Sequence, residues 1–321
     1  MTQLPGFPDF FVVGAPRCGT TALCRYLEHN PQICLSRPKE THYFAQIGGP
    51  PSERELQSEY IERYFGHREA GQRVAGEGSV SYLYLPGAIE RILHFNPAAR
   101  FIAMVRNPMS MLPSYHLKMR FLLQEDEEDF ARAWSLQEAR ARGESVPRFC
   151  HDPRLLMYRE VAGFGRQIER LFSVAGRERT HVIVFDDFLA DPLAAYRRAL
   201  DFLQIDYDGQ TWFFPKNESR IYRYRWLQRL LYVPMSRGGS KANTPQRVAR
   251  KFKLSESRRR GSRRRGSKKR SWVKSLVDWN KVPATPRPLT QEMRAVVAEA
   301  LRPDNELLSR LLQRDLGFWL D

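Results

Sequence analysis

A three-layer α/β architecture, with a central parallel sheet flanked by helices, is the fold this sequence predicts, and two observations carry the prediction. Short apolar, β-rich runs at residues 10–13, 73–76, 101–105 and 181–185 have the length and unbroken hydrophobicity of strands buried on both faces. Between them stand helical patterns at 20–30, 86–95, 108–123, 155–172 and 193–203, each with apolar residues three and four apart. Strands alternating with helices imply crossover connections, and ligands bound beyond the carboxyl ends of the strands.

The first strand runs straight into a turn and a helix in Phe10-Phe-Val-Val-Gly-Ala-Pro-Arg-Cys-Gly-Thr-Thr-Ala-Leu23. Gly14 and Gly19 permit tight turning and close approach to an anion, and the amides from Gly19 to Leu23 point unpaired donors into the loop. From Gly14 to Thr21 the spacing fits G-x-x-x-x-G-K-[ST], so the fold is expected to be P-loop-like. Thr20 stands where the lysine belongs. The only cation in the loop is Arg17, which can fork onto two oxygens of a phosphate-like group. A 5′-phosphate ester held without the lysine and magnesium geometry of an ATPase is the expected ligand.

Further along, Pro86 and Pro108 sit at plausible first helical positions. Residues 77–81 follow the second strand and 106–114 the third, so three polar clusters are expected on one rim of the sheet. Residues 206–232 are irregular and rich in aromatics, among them Trp212, Phe213, Phe214, Tyr222, Tyr224 and Trp226. Such density reads as core before it reads as a cleft wall. The stretch 290–319 reads as a helix and then a second short helical turn around 303–314, packed outside the sheet.

At 321 residues, 42% hydrophobic and 12% aromatic, the composition is that of a soluble globular enzyme, read as one domain over 1–321. Cys18, Cys24, Cys34 and Cys150 form no C-x-x-C pair and suit a reducing compartment. No basic segment followed by an apolar core precedes the first strand, so a cytoplasmic enzyme is expected, peripheral to a membrane if a partner brings it there. The formal net charge of +16 is local: residues 236–275 hold sixteen Lys and Arg against Glu256, a segment of +15 that leaves about +1 elsewhere. Basic triplets with Gly-Ser spacers and almost no apolar content read as a solvated, flexible insert. Its functional alternatives are a polyanion clamp or attraction to an anionic leaflet; a nucleic-acid partner for the fold as a whole is not expected.

Ala15-Pro-Arg-Cys-Gly-Thr-Thr-Ala-Leu23 together with Arg106-Asn-Pro-Met-Ser-Met-Leu-Pro-Ser-Tyr115 resembles the two cofactor signatures of sulfotransferases. Further similarity lies in Lys39-Glu-Thr-His-Tyr-Phe44, Gly76-Glu-Gly-Ser-Val-Ser-Tyr82, Val184-Phe-Asp-Asp-Phe188 and the Trp319 terminus, and it looks closest to bacterial sulfotransferases and the heparan-type glycan branch. The resemblance implies 3′-phosphoadenosine 5′-phosphosulfate (PAPS) as co-substrate, 3′,5′-bisphosphoadenosine (PAP) as product, and no metal. Arg17, Cys18, Gly19, Thr20, Thr21 and Ala22 would hold the 5′-phosphosulfate, and Arg106 with Ser114 the 3′-phosphate. Met111 departs from the pattern, which often has a further arginine there.

Sulfuryl transfer to an alcohol needs an in-line hydroxyl, a base for its proton, and positive groups facing the oxygens where charge develops. Glu40 matches the proposed base of glycan 3-O-sulfotransferases, and His42 lies on the same side of the chain if the segment is extended. Glu77 is the runner-up, matching the base of the N-sulfotransferase branch; the lysine common beside it in the glycan branch is replaced by Gly78. Arg17 and the loop amides would stabilise charge. The acceptor is expected to be a hydroxyl or amine on a glycan, glycolipid or small-molecule alcohol. Two rivals stand beside this reading: a P-loop small-molecule kinase, and a polyanion-binding module working through residues 236–275.

Overall fold

A computed structural model describes residues 4–46, 49, 51–213, 219–229 and 275–321. The elements that position the site begin with β1 (Phe10–Gly14), α1 (Thr20–His29), β2 (Ile33–Leu35) and β3 (Val74–Gly78). They continue with α2 (Ala88–Phe95), β4 (Arg100–Val105), α3 (Pro108–Phe121), α4 (Phe164–Ala175) and β5 (Thr180–Val184). After these come α5 (Phe185–Ala190), α6 (Pro192–Leu203), β6 (Arg220–Tyr222), β7 (Lys281–Pro283) and α7 (Gln291–Leu312).

The chain divides into two compact units, the first comprising residues 1–112, 159–217 and 289–321, the second 113–158 and 218–288. In the first, five parallel strands lie in the order β2-β3-β1-β4-β5. All five residues of β1 are buried, as an apolar strand covered on both faces requires. Phe10, Phe11 and Val12 pair with Gly76, Glu77 and Gly78 on one side and with Arg100, Phe101 and Ile102 on the other. The carboxyl ends of β1, β3 and β4 therefore lie side by side, and their following loops share one rim.

The four expected strands are all present, and a fifth, β2, was hidden by its length of three residues. Strand β3 runs to Gly78, so Glu77 lies within it and not after it. Helix α2 starts at Ala88, because Gly87 takes the left-handed conformation (φ 82°) as N-cap and leaves Pro86 outside the helix. The helix expected over 155–172 is broken into a 3-10 turn at Pro153–Leu156, a short turn at Tyr158–Val161 and α4. Gly163 is the N-cap of α4, and Gly165 lets α4 and α7 touch so closely that a Cβ there would stand 2.1 Å from the Asp304 carbonyl oxygen. The Asp304 carboxylate also caps α4, accepting from the Gly165 and Arg166 amides at 2.8 and 3.1 Å. That anchorage carries α7 through Pro303 as a single helix of 22 residues, where the sequence suggested two.

In the second unit, buried Glu125 and Arg140 form a two-pronged ion pair at 2.7 and 2.8 Å, joined by the Tyr158 hydroxyl at 2.7 Å. Strands β6 and β7 pair antiparallel. The expected aromatic core between 206 and 232 divides. Phe213 packs on Tyr26 and Tyr196 in the first unit, and Tyr222 stacks on Phe121 in the second, whereas Trp212, Tyr224 and Trp226 are exposed. Phe214 and the basic insert, save Ser275, lie outside the described residues.

Candidate active site

The loop between β1 and α1 is fixed by its backbone. Ala15 donates to the Met104 carbonyl at 2.7 Å, and Leu83 donates to the Val13 carbonyl at 3.0 Å, which ties the cradle to β4 and to the turn after β3. Gly19 is the N-cap of α1, left-handed at φ 92°, and supplies no side-chain acceptor to the first helical turn. The Ala22 and Leu23 amides, expected to be unpaired, donate to the Gly19 carbonyl at 2.9 and 3.2 Å, which leaves the turn from Gly19 to Thr21, with the helix dipole behind it, as the part that suits an anion. Gly19 also admits a close neighbour: a Cβ would stand 2.9 Å from the Phe185 ring.

Arg106 reaches the loop that carries Arg17. Arg106, at the end of β4, donates from Nη1 to the Arg17 carbonyl oxygen at 3.2 Å and from Nε to Ser110 Oγ at 2.9 Å. Its guanidinium lies 4.6 Å from the centroid of the Phe185 ring. Desolvation, and then the charge of Arg106, lowers the pKa of Arg17; desolvation likewise lowers that of Arg106. The charge of Arg106 acting on Arg17 away from water is unfavourable alone, and a bound anion would relieve that cost. Cys18, Thr20 and Ala22 are buried beside them, Thr21 is half-buried, and Cys18 Sγ donates to the Pro16 carbonyl at 3.4 Å.

A second cluster joins the chain after β2 to the end of β3. Lys39 Nζ donates to Glu40 Oε1 at 3.0 Å, and His42 Nε2 lies 3.8 Å from Glu40 Oε2. The other ring nitrogen, Nδ1, lies 2.6 Å from Ser81 Oγ, and the His42 amide donates to Ser79 Oγ at 2.9 Å. His42 is not extended but left-handed (φ 51°), so a turn and not strand alternation brings it to Glu40. Desolvation works against ionising Glu40, but Lys39 and then His42 outweigh it and hold the carboxyl well below the usual range. Lys39 lies across Gly78, its Cε 3.2 Å from where a Cβ at that position would be, so its stem fills the space a lysine at 78 would need.

Glu77 is placed differently. It has no exposed surface, and its oxygens accept from Thr41 Oγ1 at 2.9 Å, from the Tyr82 hydroxyl at 3.1 Å, and from the Tyr60 and Ser79 hydroxyls. Burial pushes its carboxyl up, which the hydroxyls only partly offset. Ser114 is buried on α3 and falls in the second unit. Asp186 and Asp187, after β5, accept from Trp319 Nε1 at 3.2 Å and Arg314 Nη1 at 2.5 Å, which pins the carboxyl end of the chain to α5.

Residues 49–209 match the Sulfotransferase family. The chain belongs to the sulfotransferase family. The chain is 29% identical over 116 residues to the membrane-associated sulfotransferase kil1 of Dictyostelium discoideum; the match covers 36% of this chain and 24% of that one. The match thus spans about a quarter of the curated relative's length. A crystal structure of a sulfotransferase from Alicyclobacillus acidocaldarius aligns with a TM-score of 0.63 at 24% identity, over 98% of this chain and 99% of that one. The structural likeness establishes the fold, a central parallel sheet flanked by helices.

Sequence reasoning missed two contributors to this rim. Ser110 is the hydroxyl that Arg106 engages within the first unit, and Phe185 supports both Arg106 and the cradle. Ser110 stands four residues after Arg106 across a helix start, a spacing that could have signalled it. Phe185 carried no polar signal.

Proposed function

We propose that this sulfotransferase moves a sulfuryl group from PAPS to an acceptor hydroxyl or amine, releasing PAP. The observation that carries the reading is the meeting of Arg17 and Arg106 at the uncapped start of α1, a donor-rich site suited to a phosphorylated ligand. The residues of the first unit fit such a nucleotide: Arg17 and the amides around Gly19 to Thr21 would hold the 5′ end, and Arg106 the 3′-phosphate. The co-substrate supplies an activated sulfuryl group. Arg17 and the helix start would stabilise the charge that develops on it.

Glu40 is the general base of this reading. It is ionised and exposed, and Lys39 and His42 fix its direction. His42, buried and bonded to Ser81, is its positioning partner. Glu77, closed off by four hydroxyls, is assigned to structure. A glycan or glycolipid is the favoured acceptor, supported by the resemblance of residues 39–44 to the glycan branch. The whole chain is taken as one sulfotransferase domain, in keeping with an alignment over 98% of its length. The test is transfer of labelled sulfate from PAPS across a panel of oligosaccharides, glycolipids, phenols and sterols. Transfer to a sugar is expected; transfer to phenols alone would remove the glycan assignment, and none from PAPS to any acceptor would oppose the reading.

A further inference from the structure

We propose that the second unit carries a docking surface for anionic lipid, centred on Tyr224, Trp226 and Trp279. These three large rings are 42%, 65% and 52% exposed and lie together, with Tyr224 5.9 Å from Trp279 and 6.4 Å from Trp226 between ring centroids. The backbone beneath is rigidly built: Asn280, fully buried, accepts from the Tyr224 amide at 2.8 Å and donates to the Tyr224 carbonyl at 3.0 Å, next to the β6–β7 pair. The rings are thus presented by a clamped stem.

The chemistry of the surface selects its partner. Trp and Tyr join an apolar body to a polar tip, which suits the boundary between lipid headgroups and acyl chains. The face of Trp279 is already engaged, stacked against Tyr224 at 28° and lying 5.2 Å from the Arg223 guanidinium, so it is poorly free to stack on a sugar ring. Arg220, Arg223 and Lys281 stand on the same stem. The chain that leaves the described structure at Arg229 and returns at Ser275 holds, over residues 230–274, sixteen Lys and Arg against Glu256 alone. In sequence that charge lies between the two segments that carry the aromatic cluster, and basic residues with interfacial aromatics supply the two signals that hold a protein on an anionic leaflet. No helix among the described residues is long and apolar enough to cross a membrane, so the contact is a surface one.

This inference does not depend on the sulfuryl-transfer reading. Its test is flotation of the full chain with vesicles of phosphatidylcholine alone or mixed with phosphatidylserine, with tryptophan emission recorded. Binding is expected only with phosphatidylserine, weakening with salt and shifting emission to the blue. The Trp226→Ser/Trp279→Ser variant is expected to bind about tenfold or more weakly at an unchanged melting temperature. Trp226→Ser alone, which leaves the Tyr224–Trp279 stack intact, is expected to lose part of the binding and guards against a folding effect. The proposal is overturned by wild-type binding in the double variant, by absence of vesicle binding, or by a heparin fragment that binds with the same dependence on the two tryptophans.

Discussion

Two carboxylates of the first unit sit in opposite surroundings. Glu40 faces a lysine and a histidine and stays ionised to unusually low pH; Glu77 is sealed among hydroxyls and resists ionisation. If Glu40 takes the acceptor proton, Glu40→Gln should bind PAP normally by calorimetry yet lose about a hundredfold or more in kcat. Because its pKa is depressed, the acid limb of the rate profile should lie below the ordinary Glu range, and Lys39→Met should move that limb to higher pH. The same pairing adds stability above the unfolded Glu pKa, lost as pH falls through the depressed value. With 43% of the Glu40 side chain exposed, screening keeps that effect small. Glu77→Ala leaves four hydroxyls facing a void, and chemical denaturation should show a loss of roughly 3 kcal/mol or more.

Elements were legible where pattern and packing agree. The strand runs at 10–13 and 101–105 are apolar because both faces are covered, and the cradle was visible because Gly14, Gly19 and the Thr pair mark a strand-to-helix turn. What escaped reading was decided by tertiary contact. Strand β2 is three residues long, α4 begins where Asp304 from a distant helix caps it, and α7 passes through Pro303 on the strength of that packing. His42 reached Glu40 by a left-handed turn that no spacing rule anticipates. Gly165→Ala tests the α4–α7 contact: a methyl 2.1 Å from a backbone oxygen should cost about 1–3 kcal/mol or more, seen as a lower melting temperature, while Gly71→Ala, with no neighbour within 4 Å, should cost less.

For the molecule as a whole, charge and catalysis are separable. The excess of Lys and Arg sits in residues 236–275, whereas the rim that would receive the nucleotide belongs to the first unit. Deleting residues 258–270 removes nine of the basic residues and should leave PAP affinity unchanged while abolishing retention by phosphatidylserine vesicles. A drop in PAP affinity would assign part of the nucleotide site to the insert. The central claim is that Arg17, Arg106 and the start of α1 form one anion site for a bis-phosphorylated adenosine. Isothermal titration of wild type and Arg17→Ala with PAP and with ATP plus magnesium tests it most directly. PAP should bind the wild type, fall in affinity by about tenfold or more in Arg17→Ala, and exceed ATP; equal binding of PAP by both proteins, or tighter binding of ATP, would contradict the account.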